Sequence, residues 1–189
     1  FHPGGEIEVR EVDISANRRR KLKDNLMLFY TGIMRTAETV ASSYLENLVE
    51  QRERLMRMSR FVDEALDIVL GDKDLDSFGE LLHQNWIEKR SLSQLVSNSR
   101  VDEIYQIARS AGALGGKLTG AGGGGMMLLY VPKKYQNQVR KKLSRLLYIP
   151  FDFSDSGSEI IFRDIQARYD ETVSRPAELG KFIEVDELT

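Results

Sequence analysis

The sequence predicts an α+β domain: a small, largely antiparallel sheet with helices packed on one face. Three observations carry that prediction. Apolar residues recur at helical spacing through most of residues 37–110. Two compact apolar runs of strand length, at 26–30 and 126–131, lie far apart in the chain. Short strand-like segments around a polar turn follow residue 147. Strands segregated from a block of helices indicate α+β rather than a regular βαβ alternation. With 189 residues, 41% of them hydrophobic, the chain is long and apolar enough to bury a core.

Taken in order, Ile7, Val9, Val12 and Ile14 suggest a half-buried strand, although their alternation slips once near Arg10. Residues 17–23 contain Arg18, Arg19, Arg20 and Lys21 and read as a solvated turn, with an anion contact as the sharper alternative. The run at 26–30, closed by Thr31-Gly32, is a buried strand. Ala37, Val40, Ala41, Tyr44, Leu45 and Leu48 form one helical stripe. Leu55, Met58, Phe61, Val62, Ala65, Leu66 and Val69 form a second, ending at Gly71. Asp74 is placed to cap the next helix, which carries Leu75, Phe78, Leu81, Leu82 and Trp86. A further helix spans about 101–110, with Val101, Ile104, Tyr105 and Ala108 on one face. Residues 126–131 are a buried strand stopped by Pro132. Residues 133–147 read as a basic amphipathic helix with Val139, Leu143, Leu146 and Leu147 inward. Segments 149–153 and 159–162 are the predicted hairpin.

Composition removes whole classes of function. There are no cysteines, so disulfides, thiol nucleophiles and Cys-based metal centres are excluded. The formal net charge of −2 argues against nucleic acid as the main partner. No apolar run approaches the roughly 18 residues of a membrane span, and the expected compartment is the cytoplasm. His2 and His83 are the only histidines, too few for a His-rich metal site or a convincing Ser-His-Asp triad. Asp72, Asp74 and Asp76 have the spacing of a calcium loop, but Ser77 and His83 stand where Gly and Glu are needed, so no metal site is assigned. Trp86, with Lys89 and Arg90, reads either as core or as the lining of a ligand site.

The strongest signal is a glycine loop. Seven of the eleven residues from Gly115 to Gly125 are glycine. Glycine is costly to order, so such density calls for a reason, and close approach of backbone amides to an anion supplies one. Two familiar phosphate motifs fail. Gly116-Lys117 is followed by Leu118 and preceded at the wrong spacing, so this is not a P-loop. Gly120, Gly122 and Gly125 fit G-x-G-x-x-G but lead into a strand rather than a helix.

The stretch 117–125, Lys-Leu-Thr-Gly-Ala-Gly-Gly-Gly-Gly, preceded by Ala113-Leu114-Gly115-Gly116, resembles the third conserved motif of the GHMP kinases. Leu28-Phe29-Tyr30-Thr31-Gly32, Trp86-Ile87-Glu88-Lys89, Val96-Ser97-Asn98, Ile149-Pro150-Phe151 and residues 157–162 extend the resemblance toward the sugar-kinase branch that contains heptose 7-phosphate kinases and L-fucokinases. The resemblance implies a ferredoxin-like C-terminal domain over residues 1–163, with 164–189 as an extension. The family's N-terminal phosphate-binding loop, substrate motif and acidic catalytic residue have no counterpart here, and Phe1 is not an initiator Met. The chain is therefore expected to be the C-terminal half of a longer kinase and inactive alone.

The resemblance further implies ATP and Mg²⁺ as cofactors of the intact enzyme. The implied partners are a sugar or sugar phosphate and the N-terminal kinase domain, with a homo-oligomer left open. The implied phosphate- or substrate-binding set is Lys117, Thr119, Gly120, Ala121, Gly122, Gly123, Gly124 and Gly125, with Arg35 as a sugar-phosphate contact. The acceptor expected is the anomeric hydroxyl of a heptose 7-phosphate. The alternatives are a fucose-type acceptor, or a non-catalytic ligand-binding module that kept the fold.

Overall fold

The computed structural model describes residues 4–9, 11–34, 37–45, 48–154 and 160. The chain divides into two compact units, Phe1–Asp152 and Phe153–Thr189. The first holds every element described below. In the second, residues 155–159 and 161–189 lie outside the described residues, and with them most of the strand expected at 159–162 and the whole extension at 164–189.

Among the described residues four antiparallel strands form one sheet in the order β2-β3-β1-β4: β1 (Leu26–Tyr30), β2 (Gly115–Leu118), β3 (Met126–Tyr130) and β4 (Leu147–Ile149). Met27 stands opposite Leu129 and Phe29 opposite Met127, while Leu28 faces Ile149 on the other side of β1. Among the described residues six helices accompany the sheet: α1 (Ala16–Asp24), α2 (Ala37–Leu45), α3 (Arg52–Leu70), α4 (Asp76–Arg90), α5 (Ser99–Ser110) and α6 (Lys133–Lys142). The α+β class expected from sequence is the class found.

The central strands are apolar along their whole length because both of their faces are covered. Met27, Phe29, Met127 and Leu129 join Trp86 of α4, Val101, Ile104 and Tyr105 of α5, and Val139 of α6. The alternate residues Leu26 and Tyr130 join Leu22 of α1, Ile68 of α3 and Leu81 of α4. Alternate residues of the central strands thus join two apolar clusters with helical side chains. Fully buried side chains of this size contribute about 1.5–3 kcal/mol each, and the two clusters fix the sheet between the helices.

Four local expectations are corrected. The strand expected at 7–14 does not form among the described residues; Ile7 is 67% and Val9 87% exposed. Alternation stabilises a strand only where one face has something to pack on. The basic turn expected at 17–23 is instead α1, whose N-terminus is capped by the Ser15 hydroxyl accepting from the Arg18 amide at 3.3 Å. Arg18 then reaches over and donates to the carbonyls of Val69 at 2.7 Å, Lys73 at 2.6 Å, and Ile68, closing the C-terminal end of α3. The basic helix stops at Lys142; Leu143 is buried, but Leu147 belongs to β4 and is 64% exposed rather than inward. Residues 115–118, read as part of the glycine loop, form β2.

The placement of β2 depends on two glycines. A Cβ on Gly115 would collide with the Gly79 carbonyl and come within 2.7 Å of the His83 nitrogen, and a Cβ on Gly79 would lie 2.6 Å from the Tyr130 ring. With neither side chain present, α4 lies directly on β2 and β3. Arg54 and Arg57 of α3 hold Glu88 of α4 at 3.2 and 3.0 Å, joining the two helices.

Candidate functional site

The site is built on the connection between β2 and β3, residues 119–125. Its ends are tied first. Thr119 donates its amide to the Met126 carbonyl at 2.9 Å, closing the turn across the two strands. At the far end, the Gly125 carbonyl accepts both the amide (2.9 Å) and the hydroxyl (2.8 Å) of Thr31, and the Gly125 amide donates to the Ile33 carbonyl at 2.8 Å. In the middle, the Gly123 amide donates to the Val96 carbonyl at 2.8 Å, and Asn98 Nδ2 donates to the Gly123 carbonyl at 2.9 Å. Asn98 also caps α5, its Oδ1 accepting from the Val101 amide at 3.0 Å. One side chain therefore couples the loop to a helix N-terminus.

Three loop amides, those of Thr119, Gly123 and Gly125, are thus consumed by the fold. The consecutive amides of Gly120, Ala121 and Gly122 have no partner among the described residues, and neither does that of Gly124. Gly120 is exposed and Ala121 and Gly122 are half-buried, so this row of donors is accessible. Gly122 shows why glycine is required. Its φ is +118°, and a Cβ there would lie 2.7 Å from the Val96 carbonyl oxygen. Successive free N–H groups on a rigid turn make a concavity suited to an anion's oxygens.

The near side of the loop is held by Lys89 from the last turn of α4. Its Nζ donates to the Leu118 carbonyl at 3.3 Å and to the Gly120 carbonyl. Burial, and after it the positive charge of Lys117, pushes the Lys89 ammonium down to about 8. Burial also lowers Lys117 from its ordinary range. Neither lysine has a carboxylate within ion-pair distance among the described residues. The vicinity of the loop is therefore electropositive and uncompensated.

The structure brings Thr119 to Gly125 together as one turn. Lys117 does not belong to that turn: it leaves β2 toward α4, where its Nζ meets Asn85 Oδ1 at 3.4 Å. Arg35 lies outside the described residues. Trp86 is fully buried and so is core. His83 is half-buried, its Nδ1 2.7 Å from the Tyr105 hydroxyl, and burial followed by the Arg109 charge holds it below its ordinary range. Asp74 is not the cap of α4, a position held by Leu75 without a side-chain bond; its Oδ1 accepts from the Asp76 amide at 3.0 Å and shapes the turn before the helix. Among the described residues, no group of three or more His, Asp or Glu side chains converges on one point. Sequence reasoning gave Lys89 only a place beside Trp86 in a candidate ligand lining and gave no site role to Thr31, Val96 or Asn98, yet all four hold the loop. Each stands in a segment on which the family resemblance rests, and that was the available signal.

Comparison with known proteins places the chain in a family. The model of the GHMP kinases C terminal family matches residues 42–149. The chain is 28% identical over 161 residues to D-glycero-alpha-D-manno-heptose 7-phosphate kinase of Campylobacter jejuni, covering 83% of this chain and 47% of that protein. It is 36% identical over 107 residues to mevalonate kinase of Pyrococcus horikoshii, covering 54% and 31% respectively. The solved structure of Methanococcus jannaschii mevalonate kinase superposes with a TM-score of 0.60 at 24% identity, over 72% of this chain and 42% of that one, a likeness of fold. The chain spans about half the length, or less, of the curated relatives it matches. Among the described residues no helix is long and apolar enough to cross a membrane. The fold, the glycine turn and the matched span together make this chain a member of the GHMP kinase family, carrying its C-terminal domain.

Proposed function

We propose that the chain is the C-terminal half of an ATP-dependent kinase that phosphorylates the anomeric hydroxyl of a heptose 7-phosphate. One observation carries the reading: the row of three unpartnered amides at Gly120, Ala121 and Gly122, on a turn that four separate segments hold in place. Similarity to a heptose 7-phosphate kinase over 83% of the chain supports the choice of acceptor.

In phosphoryl transfer the protein's work is positioning and charge stabilisation, because the transferred group carries charge on its equatorial oxygens. Rigid amides aimed at such oxygens are already oriented when charge develops there. Mg²⁺ on the nucleotide would neutralise part of that charge, and its protein ligands, with the catalytic acid–base group, would come from the other half of the enzyme. In this half, the Gly120–Gly122 amides bind and orient a phosphoryl or sugar-phosphate oxygen. Thr31, Asn98 and Lys89 keep them aimed. Lys117, directed at Asn85, is not assigned to this step.

The test is amide-resolved NMR of the 189-residue chain titrated separately with inorganic phosphate, Mg·ATP, the heptose 7-phosphate and L-fucose. The expected result is a saturable shift confined to Gly120–Gly122 with the phosphate-bearing probes. A larger response to L-fucose would move the acceptor to the fucose-type branch. Tight sugar-phosphate binding that Mg·ATP neither strengthens nor competes with would favour a non-catalytic module. Unmoved loop amides with every probe would overturn the assignment. In the assembled two-half enzyme, Gly122→Val should reduce turnover by at least about a hundredfold, the usual loss for one oxyanion-type donor, measured on the folded fraction because the strained side chain also costs about 1–3 kcal/mol of stability.

A further inference from the structure

We propose that the cleft between α3 and α4 is a second ligand site, for a small amphiphilic anion: a carboxylate carried on one aromatic or branched apolar group. The cleft has a volume of about 200 Å³. That is below the roughly 300–1,000 Å³ typical of pockets for drug-sized ligands, so the occupant is a one-ring or short-branched acid. Its walls are Phe61 on α3 with Phe78, Leu81 and Leu82 on α4, and Val62 stands at the rim, 60% exposed. At one end the apolar lining gives way to two polar side chains, Asn85 and Lys117.

That polar end identifies the headgroup. Lys117 is half-buried, has no carboxylate partner among the described residues, and makes one long contact, 3.4 Å, to Asn85 Oδ1. The other half of the same amide, Nδ2, has no partner among the described residues. Beyond its long contact to Oδ1 the ammonium keeps N–H bonds without an acceptor, as does the amide N–H₂ beside it, and a carboxylate supplies two acceptor oxygens. On the same helix the contrast is sharp: Glu88 and both arginines facing it from α3 are already satisfied by one another. The apolar walls disfavour a bare inorganic anion, which would lose its hydration along them. Burial lowers the Lys117 pKa, and a bound anion would offset that desolvation cost. The site is separate from the loop amides, because Lys117 leaves the strand toward α4 two residues before the turn begins. It depends on no assumption about what that turn binds.

The experiment titrates the 189-residue chain with 3-phenylpropionate, with its uncharged isostere 3-phenylpropanol, and with acetate, followed by NMR. The expected result is saturable binding of the acid, with shifts at Phe61, Phe78, Asn85 and Lys117. Binding of the alcohol should be weaker by about tenfold or more, the usual worth of a charge-assisted hydrogen bond. Acetate should bind more weakly still, for want of an apolar body. Lys117→Met should bring the acid down to the level of the alcohol. Val62→Asp, at an exposed helical position, should weaken the acid and spare the alcohol, which keeps the test decisive even if the Lys117 variant does not fold. No saturable binding, equal affinity for acid and alcohol, or shifts mapping away from the cleft would each overturn the proposal.

Discussion

Replacing Lys89 with Met isolates what holds the glycine turn. The side chain keeps its apolar stem along the helix but loses the donor to the Leu118 and Gly120 carbonyls. Two effects then oppose each other. Hydrogen bonds from a charged donor are worth about 1.5–3 kcal/mol, but the ammonium also carries a desolvation cost that lowers its pKa to about 8. Global stability at pH 7 should therefore change by less than about 1 kcal/mol. The loss should instead appear locally, as faster amide exchange at Thr119, Gly123 and Gly125, whose hydrogen bonds depend on the turn's shape. Lost donors of about 1.5–3 kcal/mol correspond to roughly ten- to hundredfold less protection there. The pH dependence has a definite sign. Between about 8 and the ordinary lysine value of 10.5, the unfolded chain keeps the Lys89 proton and the folded chain releases it. Stability from this residue therefore rises with pH across that window. The variant lacks the rise, so its deficit relative to the natural chain should widen between pH 7 and 9.5 in urea unfolding. Unchanged exchange at those three amides, or a uniform loss at every amide, would refute the clamp.

Three further outcomes are expected. Asn98→Ala should cost about 1–2 kcal/mol in chemical denaturation, through loss of the α5 cap and of the hold on Gly123; Asn98→Asp should recover the cap but not the loop's protection. Glu88 is held below the usual carboxylate range, chiefly by its hydrogen bond from Arg57, so its contribution is present above the unfolded value of about 4.5 and is lost as pH falls through the lowered folded value. Glu88→Gln should flatten that acid limb while changing neutral stability by less than about 1 kcal/mol, because the pair is partly exposed. Gly122→Val should lower the unfolding midpoint, by about 1–3 kcal/mol in stability, and shift the resonances of Val96 and Asn98, since a side chain at its φ of +118° is strained and meets the Val96 carbonyl.

Which parts of this molecule were legible follows from what stabilises each. β1, β3 and α5 are written in their own residues: a run buried on both faces and a clean helical stripe. β2 is not. Gly115-Gly116-Lys117-Leu118 has little strand propensity, and it is a strand because β3 pairs with it and α4 lies against its glycines. α1 was hidden for the opposite reason. Only Leu22 is buried along it, so it has almost no apolar stripe, and it is held by the Ser15 cap and the reach of Arg18 to the end of α3. Segment 7–14 had the pattern of a strand, but Ile7 and Val9 are exposed and it forms none among the described residues. The glycine turn announced itself by composition alone. Its struts did not, because Thr31 lies 94 residues from Gly125 and Asn98 lies 25 from Gly123. No local window contains both ends of those bonds.

The division of the turn's amides has a thermodynamic consequence. Ordering a glycine-rich segment costs about 1–2 kcal/mol of backbone entropy per residue, and here that cost falls on folding, because carbonyls from three other segments and the Lys89 ammonium already fix the backbone. An arriving anion finds donors that need no rearrangement. Its association should then be enthalpy-driven with a small conformational penalty, and fast. A turn that closed only around its ligand would bind slowly and with a large entropic loss.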